Sequence, residues 1–303
     1  RIITDAFKVK KILNIIDSKP TLHVIVEPYA LLIPFLKKSF SKILLTFHGS
    51  FFSKITIQGN FVSKFLFKKA IRLSNKVVFV SNYTKKKINT KLQRINKIKT
   101  SVISNGIDFI KRKPKKNKNK IFNILCLSAI KYRKGQLNLV RSIKILNKKI
   151  KNFKVIFAGG AEDQSYLNTI KSEISDAKIK KKFEFTGFVN DKKKNELFNK
   201  SDLFVLLSED SQEDFEGYGL VYLEALSYGL PTIVSSQSGC SEIIFKDSSG
   251  IVVNPRDYKK ISKFIYSITK KDISKISNRC IEIASKKDWK YKRKEIERLY
   301  ELD

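Results

Sequence analysis

Short apolar runs alternate along this chain with longer stretches whose apolar positions recur at helical spacing. The runs LHVIVE (22–27), KILLTFHG (42–49), KVVFVSN (76–82) and KTSVISNG (99–106) are rich in Val, Ile and Leu and predict buried strands. A polar, lysine-rich stretch follows, KRKPKKNKNK (111–120). It offers nothing apolar to bury and predicts a linker. The alternation then resumes, with strands predicted at FNILCLSA (122–129), FKVIFAGG (153–160), KFEFTGF (182–188), DLFVLLS (202–208), PTIVSS (231–236) and GIVV (250–253). Helices are predicted between them, among them 135–148 and 162–176, and no internal repeat is evident. Strands alternating with helices imply parallel sheets covered on both faces. The expected fold class is therefore α/β, with two doubly wound, Rossmann-like units over residues 1–110 and 111–285. A charged amphipathic helix, 286–303, closes the chain. In such sheets ligands bind beyond the carboxyl ends of the strands, which puts the expected site in a cleft between the units.

Composition narrows this picture. A length of 303 residues suits two ordinary domains, and 42% hydrophobic with 30% charged residues is a globular balance. No apolar run is long enough to span a bilayer; YALLIPFL (29–36) is about half that and holds a proline. The opening residues lack the apolar core and cleavage site of a signal peptide. Cys126, Cys240 and Cys280 form neither an even disulfide framework nor a metal-ligand spacing, so a reducing, cytoplasmic setting and no bound metal are expected. Cys126, inside NILCLSAI, reads as a small buried residue. The chain has no methionine and shows no Gly-rich turn after an opening strand. The expectation is a first unit incomplete at its N-terminus.

The net charge of +34 admits nucleic acid, an anionic membrane or a polyanionic substrate as partner. Lys, Ile and Asn are in excess throughout, as an A/T-rich coding sequence would produce. No zinc-finger spacing or RNA-binding aromatic motif accompanies the charge, so nucleic acid is not expected. The segments FLKKSFSK (35–42) and FVSKFLFKKAIR (61–72) interleave Lys with Phe and Leu. They suit an anionic membrane surface, although an ordinary helix with a solvated face uses the same residues.

The chemistry concentrates in EDFEGYGLVYLEALSYGLP (213–231). A loop leaves the strand DLFVLLS, and a helix is predicted from Leu220 to Tyr228, ended by Gly229 and Pro231. Gly217 and Gly219 allow a tight turn and a close approach to the backbone. The first helical amides, at Gly219, Leu220 and Val221, have no partners within the helix and make an anion site suited to phosphate. A plain turn would use the same glycines, but two glutamates add to it. Glu224 leans back along the helix, where its carboxylate suits the vicinal hydroxyls of a ribose. Its flanks are apolar, and a charge among them is costly unless paired. Glu216 precedes the helix and is placed for sugar hydroxyls or for developing positive charge. In KYRKGQLNLV (131–140), Lys134 or the adjacent Arg133 supplies positive charge to a diphosphate.

At these residues the sequence resembles a known family. FEGYGLVYLEALSYGLPTIVSSQSGCSEII is similar to the signature of retaining glycosyltransferases of family 4, which have the two-domain GT-B fold. Two glutamates separated by seven residues belong to that signature, and Glu216 and Glu224 match. KVVFVSNYTKKKI and VISNGID resemble the end of the family's first domain. The KG pair at 134–135, FAGGAED, FTGFV and SGIVVNPRD resemble its second domain in order, and the tail around Trp289 resembles its final helix. The resemblance implies a nucleotide-sugar donor, a glycan or lipid-linked acceptor, and retention of anomeric configuration by attack from the face of departure. It assigns Glu216 to the donor sugar, Glu224 to the ribose, Lys134 and the amides near Gly219 and Leu220 to the diphosphate, with no metal required. His48, in TFHGS, matches a histidine near the reacting centre. Three features depart from the pattern. Ala129 stands where an arginine is common, so that Arg133 or Lys131 would compensate. The first-domain Gly-rich loop is missing, and the loop from Ser208 to Glu216 is long. A sugar-nucleotide-binding protein without full transfer activity is the alternative these departures raise.

Overall fold

The computed structural model describes residues 2–13, 15–49, 51–89, 99–115, 121–244 and 249–301. Two compact units divide the chain: Arg1–Asn105 with Gln212–Tyr218 and Lys292–Asp303, and Gly106–Ser211 with Gly219–Tyr291.

The first unit is built on a parallel sheet of β1 (Thr21–Val24), β2 (Lys42–Phe47), β3 (Lys76–Phe79) and β4 (Lys99–Val102), in that spatial order. Three fall within the predicted runs and β1 begins one residue ahead of its run, and each is shortened at its carboxyl end. LHVIVE shows why. Pro28 cannot donate to a strand ladder and presets a helical φ. The chain therefore leaves the sheet after Val24, exposes Ile25 and Val26, and enters a 3-10 turn, Glu27–Leu32. Four of the buried phenylalanines form an aromatic cluster within the core. Phe47 stacks on Phe79 with centroids 5.6 Å apart and meets Phe52 and Phe67 edge-on at 6.0 Å. Such pairs add about 0.5–1.5 kcal/mol each beyond their burial. They seat the helices Phe51–Gln58 and Phe61–Leu73, the second capped by Asn60, whose side chain accepts the Ser63 N–H at 2.8 Å. The end of the final helix, Trp289–Glu301, packs here too: Leu299 is buried with Leu44 and Val78. The His23 ring bridges the Tyr300 and Thr46 hydroxyls, each at 2.7 Å.

The second unit holds β5 (Phe122–Leu127), β6 (Phe153–Ala158), β7 (Phe183–Gly187), β8 (Leu203–Leu206), β9 (Thr232–Ser235) and β10 (Gly250–Val253). Their spatial order is β10-β9-β8-β5-β6-β7, parallel throughout. The chain adds β6 and β7 on one side of β5 and then crosses to β8 on the other. This doubly wound order places its switch point between β5 and β8, where loops leaving the two strands diverge and ligands bind. Cys126 is buried in β5, and burial pushes its thiol up to about 12. The connecting helices begin on side-chain caps: Asp163, Asn190, Asp257 and Asp272 each accept a first-turn N–H.

The predicted linker is not a solvated spacer in its described part. Lys115 donates to the carbonyls of Phe198, Asn199 and Ser201 at 3.0, 2.7 and 2.7 Å. These lie at the C-terminal end of the helix Asp191–Lys200, where unpaired carbonyls and the helix dipole attract a cation. The Arg112 guanidinium covers the Tyr228 ring at 3.6 Å. Residues 116–120 of that stretch lie outside the described residues. The division between units falls before Gly106, not after residue 110. Ile107 and Trp289 explain the shift, because Ile107 N–H donates to the Lys287 carbonyl and the Trp289 N–H to the Ile107 carbonyl. A side chain at Gly106 would press on the Trp289 indole at 2.8 Å. The chain rejoins the first unit at Lys292, within the final helix and not at its start.

Candidate functional site

The candidate residues fall on both units. In the second, the loop leaving β5 forms a 3-10 turn, Tyr132–Lys134, that ends at Gly135 with φ 67°. Only glycine suits this left-handed position, and a side chain there would strike the Leu207 carbonyl. Glu209 N–H donates to the Arg133 carbonyl at 2.8 Å. The turn carrying Arg133 and Lys134 is thereby clamped against the residues leaving β8. Glu209 is itself a buried carboxylate that accepts two hydrogen bonds from Arg256, at 3.0 and 2.7 Å, and one from the Asn138 amide. Sequence reasoning missed this support. Its one signal is the NPRD stretch that carries Arg256.

Lys131 pairs with Glu162 at 2.6 Å. That hydrogen bond holds the Glu162 carboxyl below its usual range, with Lys134 and Arg133 adding to the effect. Three cations therefore crowd this turn, and Lys131 already has a carboxylate partner. Of the two residues expected to compensate for Ala129, Arg133 lies within the clamped turn itself.

Beyond β8, Gly219 caps the helix Leu220–Ser227 with φ 82°. The Tyr222 hydroxyl donates to the Leu206 carbonyl at 2.6 Å and fixes the helix start on the end of its strand. The first-turn amides at Gly219, Leu220 and Val221 thus stand at the carboxyl edge of β8, the neighbour of β5.

Glu224 sits differently from its expected setting. Tyr222, Leu223 and Ala225 are buried, but Glu224 is half-exposed and pairs with Lys194 at 3.0 Å, a lysine also 3.1 Å from Asp191. Residues adjacent in a helical sequence point to different faces, so apolar flanks do not put a carboxylate among apolar side chains. The pairing that its charge requires comes from the chain itself.

The first unit carries His48, Glu216 and Gly217, and brings them together. Gly217 packs on the His48–Gly49 backbone, where a Cβ would collide with the His48 carbonyl and lie 3.0 Å from the Gly49 Cα. The close approach this glycine permits is to the chain's own backbone. Ser81 and Thr84 hydroxyls donate to the Gly217 carbonyl at 2.7 and 2.9 Å. Phe215, on the other side of Glu216, is buried in the core edge-on to Tyr83. Glu216 is held at both flanks, half-buried, on the loop that also places Gly217 against His48. The His48 side chain reaches solvent, yet enough protein surrounds it to keep its pKa below the usual value, so the ring is neutral at pH 7. His23 is lowered by burial and, secondarily, by His48.

The family model of the glycosyl transferases group 1 matches residues 106–287, more than half of the chain. An uncharacterised glycosyltransferase of Methanocaldococcus jannaschii is 33% identical over 140 residues, 46% of this chain and 33% of that protein. The GDP-mannose-dependent alpha-(1-6)-phosphatidylinositol monomannoside mannosyltransferase of Mycobacterium tuberculosis is 27% identical over 141 residues, 46% of this chain and 36% of its own length. The alignments span about a third of these relatives. Among solved structures, Anabaena Alr3699/HepE in complex with UDP superposes with a TM-score of 0.77 at 19% identity, covering 97% of this chain and 82% of that one. The likeness establishes the GT-B fold, and with the family match over the second unit, the chain belongs to the group 1 glycosyl transferases.

Proposed function

We propose that this protein moves a sugar from a nucleoside-diphosphate sugar to a glycan or lipid-linked acceptor in cell-surface glycan synthesis, with retention at the anomeric carbon. The observation that carries the proposal is the switch point of the second unit. There the Arg133–Lys134 turn and the amides of Gly219, Leu220 and Val221 leave adjacent strands at their carboxyl ends. Clamped cations and a helix start suit a diphosphate, and they stabilise the charge it gains on leaving. Glu224 takes the ribose hydroxyls, exchanging or sharing its Lys194 partner. Glu216 takes hydroxyls of the donor sugar, and neutral His48 stands near the reacting carbon. The acceptor hydroxyl forms the new bond to that carbon as the bond to the diphosphate oxygen breaks. Its proton passes to the departing phosphate. Protein cations and amides do this work without a metal ion. A panel of UDP and GDP sugars, followed by proton NMR of the product's anomeric coupling, tests the proposal. Release of one nucleoside diphosphate with retained configuration supports it, and an inverted product refutes retention.

The first unit is the acceptor side in this reading, working at the cytoplasmic face of an anionic membrane. Support comes from the helix Phe61–Leu73. Phe61 and Phe65 are 84% and 54% exposed, and at helical spacing they share one face with Lys68 and Arg72. No carboxylate occurs between Phe51 and Leu73. Aromatic rings beside cations fit the acyl boundary and the lipid phosphates. The M. tuberculosis relative, by its name, glycosylates a phosphatidylinositol mannoside, which agrees with a lipid-linked acceptor. No helix among the described residues is long and apolar enough to cross a membrane.

A further inference from the structure

The loop that carries His48 is held from beneath by a carboxylate. Glu27 opens the 3-10 turn Glu27–Leu32 and is 4% exposed. Its Oε1 accepts the N–H groups of His48 and Gly49 at 2.6 and 2.8 Å, and its Oε2 accepts that of Phe52 at 3.2 Å. Phe52 lies in the first turn of the helix Phe51–Gln58, where amides lack intrahelical partners. One side chain thus joins the end of β2, the peptide after it and the start of the next helix.

The chemistry required at this position is narrow. Both carboxyl oxygens face N–H donors, so the site calls for a group that only accepts. A glutamine would turn an N–H₂ group toward one of those donors. An apolar residue would leave all three amides buried without partners. Charge is costly to bury, and the return for it here is a fixed path for two peptides. That path is also fixed from its other side, because Gly217 abuts the His48 carbonyl. His48 is therefore gripped at its N–H by Glu27 and at its carbonyl by the loop that carries Glu216.

We propose that Glu27 is a positioning residue for sugar transfer, a carboxylate latch that sets the main chain of His48 and so aims its imidazole. The proposal rests on the reading of His48 as a group near the reacting carbon. Its geometric stake is high, since displacement of a reacting group by about 1 Å can cost about 100-fold in rate.

The test compares Glu27→Gln, Glu27→Asp and His48→Ala. It measures turnover of the best sugar nucleotide, affinity for UDP and GDP, and the NMR signals of the two histidine rings. Glu27→Gln is expected to lower kcat by about 10- to 100-fold while UDP and GDP affinity stays within about twofold, because the proposed diphosphate groups lie on the second unit. The His48 ring signals shift most, and those of His23 shift less, since His48 is only a secondary influence on that ring. Glu27→Asp, which remains acceptor-only but is shorter, recovers part of kcat. Wild-type kcat in Glu27→Gln beside an inactive His48→Ala overturns the latch alone. Equal loss of nucleotide affinity and of both histidine signals in both Glu27 variants reduces the residue to a general fold element and also overturns it. Wild-type turnover in His48→Ala overturns the His48 assignment, and the latch with it.

Discussion

Gly217 lies so close to the His48 carbonyl that no side chain fits between them. The residue beside Glu216 thereby serves as a spacer that seats one candidate site loop on another. Gly217→Ala is expected to push the loop off His48 and to strain the hydrogen bonds from Ser81 and Thr84. Overpacking of this kind costs about 1–3 kcal/mol. A lower melting temperature together with at least a tenfold drop in kcat is predicted. Unchanged turnover would show that the two loops act independently.

Glu216→Ala is expected to abolish transfer while leaving nucleoside diphosphate affinity near that of the wild type, because its proposed contacts are to the sugar. Initial-rate kinetics beside calorimetric titration separate the two effects. A variant that turns over normally would remove Glu216 from the site.

Glu224 offers a discriminating ligand series. If its carboxylate holds the ribose, wild-type protein prefers a ribonucleoside diphosphate over the 2′,3′-dideoxy form, and Glu224→Ala erases that preference. A charged hydrogen bond is worth about 1.5–3 kcal/mol, so the predicted ratio is about 10- to 100-fold. Equal preference in both proteins would leave Glu224 as the surface partner of Lys194 only.

Burial raises the Glu27 carboxyl from 4.5 to about 7, against the opposing pull of the amides of Gly49, His48 and Phe52. The acceptor-only form that the three amides call for is therefore complete only above about pH 7. Between those pH values the folded chain holds a proton that the unfolded chain has released. The resulting stabilisation is fully present below pH 4.5 and is lost as pH rises through 7, with a ceiling of about 3 kcal/mol. Melting temperature is predicted to fall across this window in the wild type and to fall less in Glu27→Gln. Parallel curves would place the carboxyl at its ordinary pKa.

The exposed face of Phe61–Leu73 predicts co-sedimentation with vesicles rich in anionic lipid and none with neutral vesicles. Each cation near such a surface contributes about 1 kcal/mol, so Lys68→Glu combined with Arg72→Glu is expected to release the protein. Phe61→Ser with Phe65→Ser should weaken binding at high salt, where the apolar contribution remains. Equal binding to neutral vesicles would contradict the charge argument.

Strand positions were legible because buried parallel strands are continuous apolar runs: of the ten described strands nine lie within their predicted segments, and β1 starts one residue before its run. The ends were less legible: Pro28 cut β1 short, and the reason involves Glu27, whose partners lie some twenty positions away. Lys115 and Arg112 were misread for a similar cause, since only the folded chain shows that carbonyls of a helix end and the Tyr228 ring await them. In the site, local signals worked well. Gly219 adopts the tight, left-handed turn that its position suggests, and the helix begins at Leu220 as expected. The setting of Glu224 is not legible from its neighbours, because residues apolar in sequence around it point to other faces of the helix. Glu209 and Arg256 escaped notice because their pairing joins the ends of β8 and β10, which no local pattern links.

The central claim is that the switch point of the second unit binds a nucleoside diphosphate, and calorimetric titration with UDP, GDP and duplex DNA tests it most directly. The account predicts saturable one-to-one binding of UDP or GDP, weakened about 10- to 100-fold in Lys134→Ala. No affinity for either nucleotide, together with strong, salt-sensitive binding of DNA, would contradict it.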